Sequence, residues 1–150
     1  MELSTMQTLR TYIDGELKGN LTYSQLAKIA PFAEDRKILM SMAEDELKHA
    51  NMFKNIYLKM FGRNYSPDIT VEPISGDYYN NLREMVMDEG NDFRTYAHEY
   101  MNTRNEMLRN AYATAAVDEN VHADRLLMLL SKEGEKPKSE ENSDEKVHML

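Results

Sequence analysis

Two glutamate–histidine pairs are the parts of this sequence best suited to chemistry. Glu46 and His49 stand three residues apart, and so do Glu119 and His122. Thirty residues before each pair lies another glutamate, Glu16 and Glu89. Seven residues after each of those lies a tyrosine, Tyr23 and Tyr96. The two sets form a repeat with an offset of 73 residues and no gap. It also pairs Leu9 with Leu82, Arg10 with Arg83, Thr22 with Thr95, Arg36 with Arg109, Ala43 with Ala116, Asp45 with Asp118 and Ala50 with Ala123. A match of leucines and alanines alone would reflect core filling. This one repeats carboxylates, an imidazole and a phenol, which are costly to bury and are the side chains that bind metals and move protons.

The elements that position them read as four helices. With 6 Gly and 4 Pro the chain has few breakers, and apolar residues recur at three- and four-residue spacing between them. The first helix is expected over about Thr5–Ile29, with Ser4 and Gln7 as a capping box, and Pro31 breaks the chain after it. The second runs over about Ala33–Phe61 and stops at Gly62, the third over Asp77–Asn102. Thr103 and Glu106 form a second capping box opening the fourth, over Asn105–Ser131. Residues 133–150 are mostly polar and contain Pro137, so they are expected to form a disordered tail after a domain of residues 1–132.

Short connections make the first and second helices one antiparallel hairpin and the third and fourth another. Residues 62–75 lack a helical period and contain Pro67 and Pro73. Extended, such a loop spans up to about 46–50 Å, enough to run along a helix of ~42 Å and set the third helix parallel to the second. The expected fold is all-α: a ferritin-like four-helix bundle of two antiparallel hairpins joined by a long crossover.

On the second helix the apolar stripe is Leu39, Met42, Ala43, Ala50, Phe53 and Tyr57, and Glu46 and His49 fall inside it. On the fourth it is Tyr112, Ala115, Ala116, Ala123, Leu126 and Leu130, with Glu119 and His122 inside. Glu16 lies between Ile13 and Tyr23, Glu89 between Val86 and Tyr96. Four carboxylates and two imidazoles therefore converge on the bundle axis. Two divalent cations would balance the four negative charges and hold all six groups. Oxygen-rich ligation with one imidazole per metal suits iron or manganese.

Other candidates have plainer readings. Glu145 and His148 repeat the spacing but lie in the polar tail, outside the repeat and outside any apolar stripe, so they are expected not to ligate. Tyr23 and Tyr96, at matched positions, suit donors that hold ligating carboxylates. Tyr12, Tyr100 and Tyr112 read as core packing, His98 as a surface or packing residue, and most methionines as core filler. Gly15, Gly19 and Gly90 interrupt helices, each at a cost of about 1 kcal/mol relative to Ala; close helix approach and access to the site are both open explanations.

Composition excludes other classes. With 0 Cys the sequence has no disulfides, zinc ribbon, iron–sulfur cluster or thiol nucleophile. A net charge of −8 argues against nucleic acid and anionic membranes as partners. No apolar run reaches the ~20 residues of a membrane span, and the N-terminus lacks the pattern of a signal peptide, so a cytoplasmic location is expected.

The segments KILMSMAEDELKHANMFKNIY and NAYATAAVDENVHADRLLMLL resemble the ferritin-like domain of rubrerythrins, over about residues 5–131. The resemblance implies Glu46 and Glu119 as bridging ligands, Glu16 and Glu89 as terminal carboxylates, and His49 and His122 as one nitrogen ligand per metal. Rubrerythrins usually continue into a rubredoxin domain. A sequence without cysteine carries none, so electrons would come from an external donor such as a rubredoxin-type protein. The family also has an extra glutamate three residues after the third-helix ligand; here that position is Asp92, whose repeat mate is Gly19. Asp92 reads either as a partly exposed helix carboxylate or as a redox-dependent ligand or proton relay.

The function implied is a non-haem di-iron oxidoreductase that reduces hydrogen peroxide, or uses dioxygen, as a homodimer. Asp92, Tyr23 and Tyr96 are the candidate catalytic residues. A ferroxidase or iron-handling protein, or a di-iron or di-manganese oxygenase or catalase, would use the same ligands.

Overall fold

The computed structural model describes residues 2–138, which form α1 (Glu2–Ile29), α2 (Ala33–Phe61), α3 (Tyr78–Asn102) and α4 (Glu106–Leu130). Most helix ends have a local chemical cause. Gly62 ends α2 in the left-handed conformation at φ 70°, donating its N–H to Leu58 O. Asp77 caps α3 by accepting from the Asn80 N–H at 3.1 Å.

Two expected starts are corrected. The first helix begins at Glu2, so Ser4 lies inside its first turn; no Gly or Pro precedes it to stop the helix there. The cap of α4 is Asn105, which accepts from the Leu108 N–H, and not the Thr103–Glu106 box. Thr103 instead closes α3, its N–H bonding to Glu99 O, while its hydroxyl accepts from the Asn105 N–H at 3.2 Å, one residue short of the helix it was expected to cap. Glu145, His148 and the rest of residues 139–150 lie outside the described residues.

α1 packs on α2, α3 on α4, and α2 on α4. Paired side chains fix the directions. Arg10 reaches Tyr57 and Asn20 reaches Ala43 O, so α1 and α2 are antiparallel. Tyr23 meets Glu89 and Tyr96 meets Glu16, so α1 and α3 are antiparallel too. That makes α3 parallel to α2, as the long crossover implied. Its path is pinned to α1: the Tyr65 hydroxyl donates to Asp14 at 2.7 Å, and the Ile74 N–H to Gln25 Oε1 at 2.8 Å.

The apolar core falls into two blocks. The lower block contains Leu9, Ile13, Phe53, Tyr57 and Tyr112, the upper block Leu26, Leu39, Met42, Leu82 and Leu126. Each such fully buried side chain contributes about 1.5–3 kcal/mol. Between the blocks lies a layer of buried charge: Glu16, Glu46, His49, Glu89, Glu119 and His122. No helix among the described residues is long and apolar enough to cross a membrane.

Candidate metal centre

The six groups expected from the repeat meet in that layer, at most 3% exposed. They form two overlapping sets. Glu16, Glu46, His49 and Glu119 offer ligand atoms within 4.8 Å of one another, and so do Glu46, Glu89, Glu119 and His122. Glu46 and Glu119 belong to both. Of the four small residues that flank these groups in the repeat, Ala43, Ala50 and Ala116 are buried with them and Ala123 is partly exposed.

The histidines are oriented from outside the layer. His49 Nε2 lies 2.7 Å from Asp118 Oδ2, and His122 Nε2 lies 2.9 Å from Asp45 Oδ2. Each imidazole thus donates Nε2–H to a carboxylate and turns Nδ1 inward. His49 Nδ1 is 3.2 Å from both Glu16 and Glu119, and His122 Nδ1 is 3.0 Å from Glu46. The exchange is reciprocal: the aspartate before the α4 glutamate holds the α2 histidine, and the aspartate before the α2 glutamate holds the α4 histidine. Sequence spacing assigned Asp45 and Asp118 no role. Their signal was their place in the repeat, directly before Glu46 and Glu119.

The tyrosines are exchanged in the same way. The Tyr23 hydroxyl of α1 donates to Glu89 of α3, and Tyr96 of α3 donates to Glu16 of α1, the latter at 2.5 Å. Each takes one carboxylate oxygen and leaves the other facing the layer. His98 stands apart, its ring beside Asn102 on the exposed side of α3.

Glu46 Oε1, Glu89 Oε2, both oxygens of Glu119 and His122 Nδ1 are buried with no well-aligned hydrogen bond, only close ion-pair contacts such as His122 Nδ1 to Glu46 and His49 Nδ1 to Glu119. Such atoms are destabilising unless something binds them. Without metal, protons relieve the crowding. Burial, then the neighbouring Glu16, Glu119 and Glu89, holds the Glu46 carboxyl well above the usual carboxylate range. Burial likewise pushes Glu119 up to about 10, with the His49 hydrogen bond opposing it. Burial would also raise Glu89, but hydrogen bonds with His122, Glu119 and Tyr23 hold it below its ordinary value. Burial would lower His49, yet hydrogen bonds to Glu119, Glu16 and Asp118 push it up to about 11. The donor set fits two cations, which would take the place of these protons.

A cleft of about 420 Å³ between α1 and α3 leads to this layer, with Glu46 and Glu89 on its wall. Gly15, Lys18, Asp88 and Asp92 also line it. Gly19 has a definite steric reason: a Cβ there would lie 2.7 Å from Glu46 Oε2. Its repeat mate Asp92 sits across the cleft, open to solvent. Crowding by the surrounding protein, then the charges of Glu89, Glu16 and Asp88, pushes the Asp92 carboxyl up to about 7. The repeat is broken here, with no side chain on α1 and a carboxylate on α3. Gly15 and Gly90 differ from Gly19 in that an added Cβ would meet nothing within 4 Å.

A rubrerythrin family model matches residues 7–130. The chain belongs to the rubrerythrin family. It is also similar to Uncharacterized protein YhjR of Bacillus subtilis (strain 168), at 27% identity over 118 residues, covering 79% of this chain and 81% of that protein. No solved structure matches it. Rubrerythrin membership and the buried Glu/His layer together fit a di-iron centre.

Proposed function

We propose that this rubrerythrin-family protein is a di-iron oxidoreductase that reduces hydrogen peroxide to water with electrons from an external donor. The observation that carries this reading is the pair of candidate ligand sets sharing Glu46 and Glu119, reached by a cleft between α1 and α3. Glu16, Glu46 and His49 would hold one iron, and Glu89, Glu119 and His122 the other, with Glu46 and Glu119 shared. Iron held there would supply one electron per ion and the positive charge that stabilises developing hydroxide.

The chain's own groups do the rest. Tyr23 and Tyr96 hold Glu89 and Glu16 by one oxygen each. Asp45 and Asp118 keep the histidines in the tautomer that presents Nδ1 inward. The apolar blocks above and below the layer exclude bulk water. Asp92, at the rim of the cleft, carries a proton toward the site or accepts one from it. Iron is preferred over manganese for its redox range, and the setting proposed is cytoplasmic.

The acidic cleft, with Asp88 and Asp92, favours one second reading, a ferroxidase that takes Fe(II) through it. Metal analysis after anaerobic purification, followed by peroxide titration of the reduced protein, separates the two. A reductase contains two irons per chain, consumes one peroxide per pair and runs as a dimer by size exclusion. A storage protein turns over added Fe(II) and assembles into a shell. His49→Ala and His122→Ala should each lose metal, whereas His98→Ala should not. Equal loading in all three would refute the ligand assignment.

A further inference from the structure

The lower apolar block contains groups that packing does not require. Tyr12, Tyr96 and Tyr112 form a triangle of rings, with centroids 5.2 Å apart for Tyr12–Tyr96, 5.9 Å for Tyr12–Tyr112 and 6.1 Å for Tyr96–Tyr112. One corner, Tyr96, donates to Glu16 in the metal layer. Burial, then the charge of the nearby Glu99, raises the phenols of the other two, Tyr12 and Tyr112. Glu99 and Tyr112 in turn line a surface pocket of about 360 Å³, with Thr8, Asn102 and Arg104. Aromatic contacts thus run without a break from a metal-layer carboxylate to the surface, and a carboxylate stands at each end.

The repeat supplies an internal control. The mates of Tyr12, Glu99 and Tyr112 in the other half are Met85, Leu26 and Leu39. Leu26 and Leu39 are fully buried in the upper block, with Met85 packed against it. The same positions are therefore filled there by apolar side chains that need no hydrogen bond. Placing two phenols and a carboxylate in the lower half adds desolvation that packing alone would avoid.

We propose that Tyr12, Tyr96 and Tyr112, with Glu99 as proton acceptor, form a one-electron relay between the metal layer and the surface pocket. The relay rests on the peroxide-reductase reading. Reducing one hydrogen peroxide to two waters takes two electrons and two protons. A fully reduced site supplies both electrons. When only one is stored there, the second comes from the relay. The O–H bond of Tyr112 or Tyr12 breaks, its electron passes by way of the Tyr96 ring, its proton goes to Glu99, and a neutral tyrosyl radical remains. A one-electron donor of the phenol or ascorbate class, in the surface pocket, then reduces the radical as Glu99 returns the proton and the O–H bond re-forms. The donor is oxidised by one electron, and the two protons consumed with peroxide come from solvent. Burial and the nearby Glu99 keep both phenols protonated, so oxidation must release a proton, and Glu99, which shares a pocket wall with Tyr112, is placed to take it.

Rapid freeze-quench electron paramagnetic resonance tests this. Half-reduced, iron-loaded protein mixed with one equivalent of peroxide should show a tyrosyl radical, and added ascorbate should shorten its life. The radical should persist in Tyr79→Phe, at the far end of the bundle. It should disappear in the Tyr12→Phe/Tyr112→Phe double variant, which keeps both rings, and weaken in Glu99→Gln. The fully reduced protein should consume peroxide without forming it. Peroxide left unconsumed by the fully reduced protein overturns the reductase reading and the relay with it. Peroxide consumed by the half-reduced protein with no radical, or with an undiminished one in the double variant, overturns the relay alone.

Discussion

Asp118 Oδ2 lies 2.7 Å from His49 Nε2, so a residue of α4 fixes the imidazole that α2 turns toward the centre of the bundle. Asp45 does the same for His122 from the opposite side. The two hairpins are therefore joined at the site by crossed pairs, and each hairpin's histidine is set by the other.

Asp118→Asn or Asp45→Asn should keep the fold, since each aspartate is partly solvent-accessible, but weaken metal binding. Loss of such an outer partner typically costs ~10–100-fold in affinity. Competition against a chelator of known affinity measures it. Wild-type affinity in both variants would show that the aspartates do not orient the ligands.

Gly19→Ala sets two effects against each other. The helix interior gains about 1 kcal/mol in propensity. The new Cβ would lie 2.7 Å from Glu46 Oε2, so the carboxylate must move. Because Glu46 belongs to both ligand sets, the variant should melt at or above wild type without metal and bind less iron. Gly15→Ala meets no neighbour within 4 Å and should gain stability with iron loading unchanged. Equal iron content in Gly19→Ala and Gly15→Ala would refute the steric argument.

Metal-free protein should lose stability as pH rises. Folded Glu119 is raised from 4.5 to about 10 and folded His49 from 6.5 to about 11. Between about pH 5 and 10 the folded state therefore binds more protons than the unfolded one. Each extra proton lowers stability by about 1.4 kcal/mol per pH unit. The metal-free melting temperature should be higher at pH 6 than at pH 9. Metal takes the place of the protons, so the loaded protein should lose this dependence and metal affinity should rise with pH. A metal-free melting temperature that increases from pH 6 to 9 would contradict the proton-filled layer.

Lys132 should matter far more to stability than the residues after it. Its ammonium lies 2.6 Å from Asp35, which is fully buried, and 2.7 Å from Glu34. Lys132→Ala leaves the Asp35 carboxylate buried without that partner, a loss of about 3 kcal/mol and several degrees in melting temperature. Ending the chain after Lys132 removes the exposed Arg83–Glu133 pair, worth under about 1 kcal/mol. Iron loading should survive that truncation. A melting temperature lowered more by the truncation than by Lys132→Ala would reverse this ranking.

The sequence alone determined the all-helical bundle, the crossover and the grouping of four glutamates and two histidines, because helical period and an ungapped repeat are local, linear properties. Glu46 and His49 share a face by spacing alone, and so do Glu119 and His122. Cap choice was less legible: Ser4 and Asn105 both had capping chemistry, and the choice between neighbours depended on where the adjoining chain left the helix. Pairing between hairpins was decided only by tertiary structure. Nothing in the spacing says that Asp118 meets His49, that Tyr23 meets Glu89, or that Gly19 leaves room for Glu46. Those contacts join residues 66 to 69 positions apart, or 27 in the case of Gly19 and Glu46. They depend on the rotation and height of one helix against another, which side-chain packing across the whole interface sets.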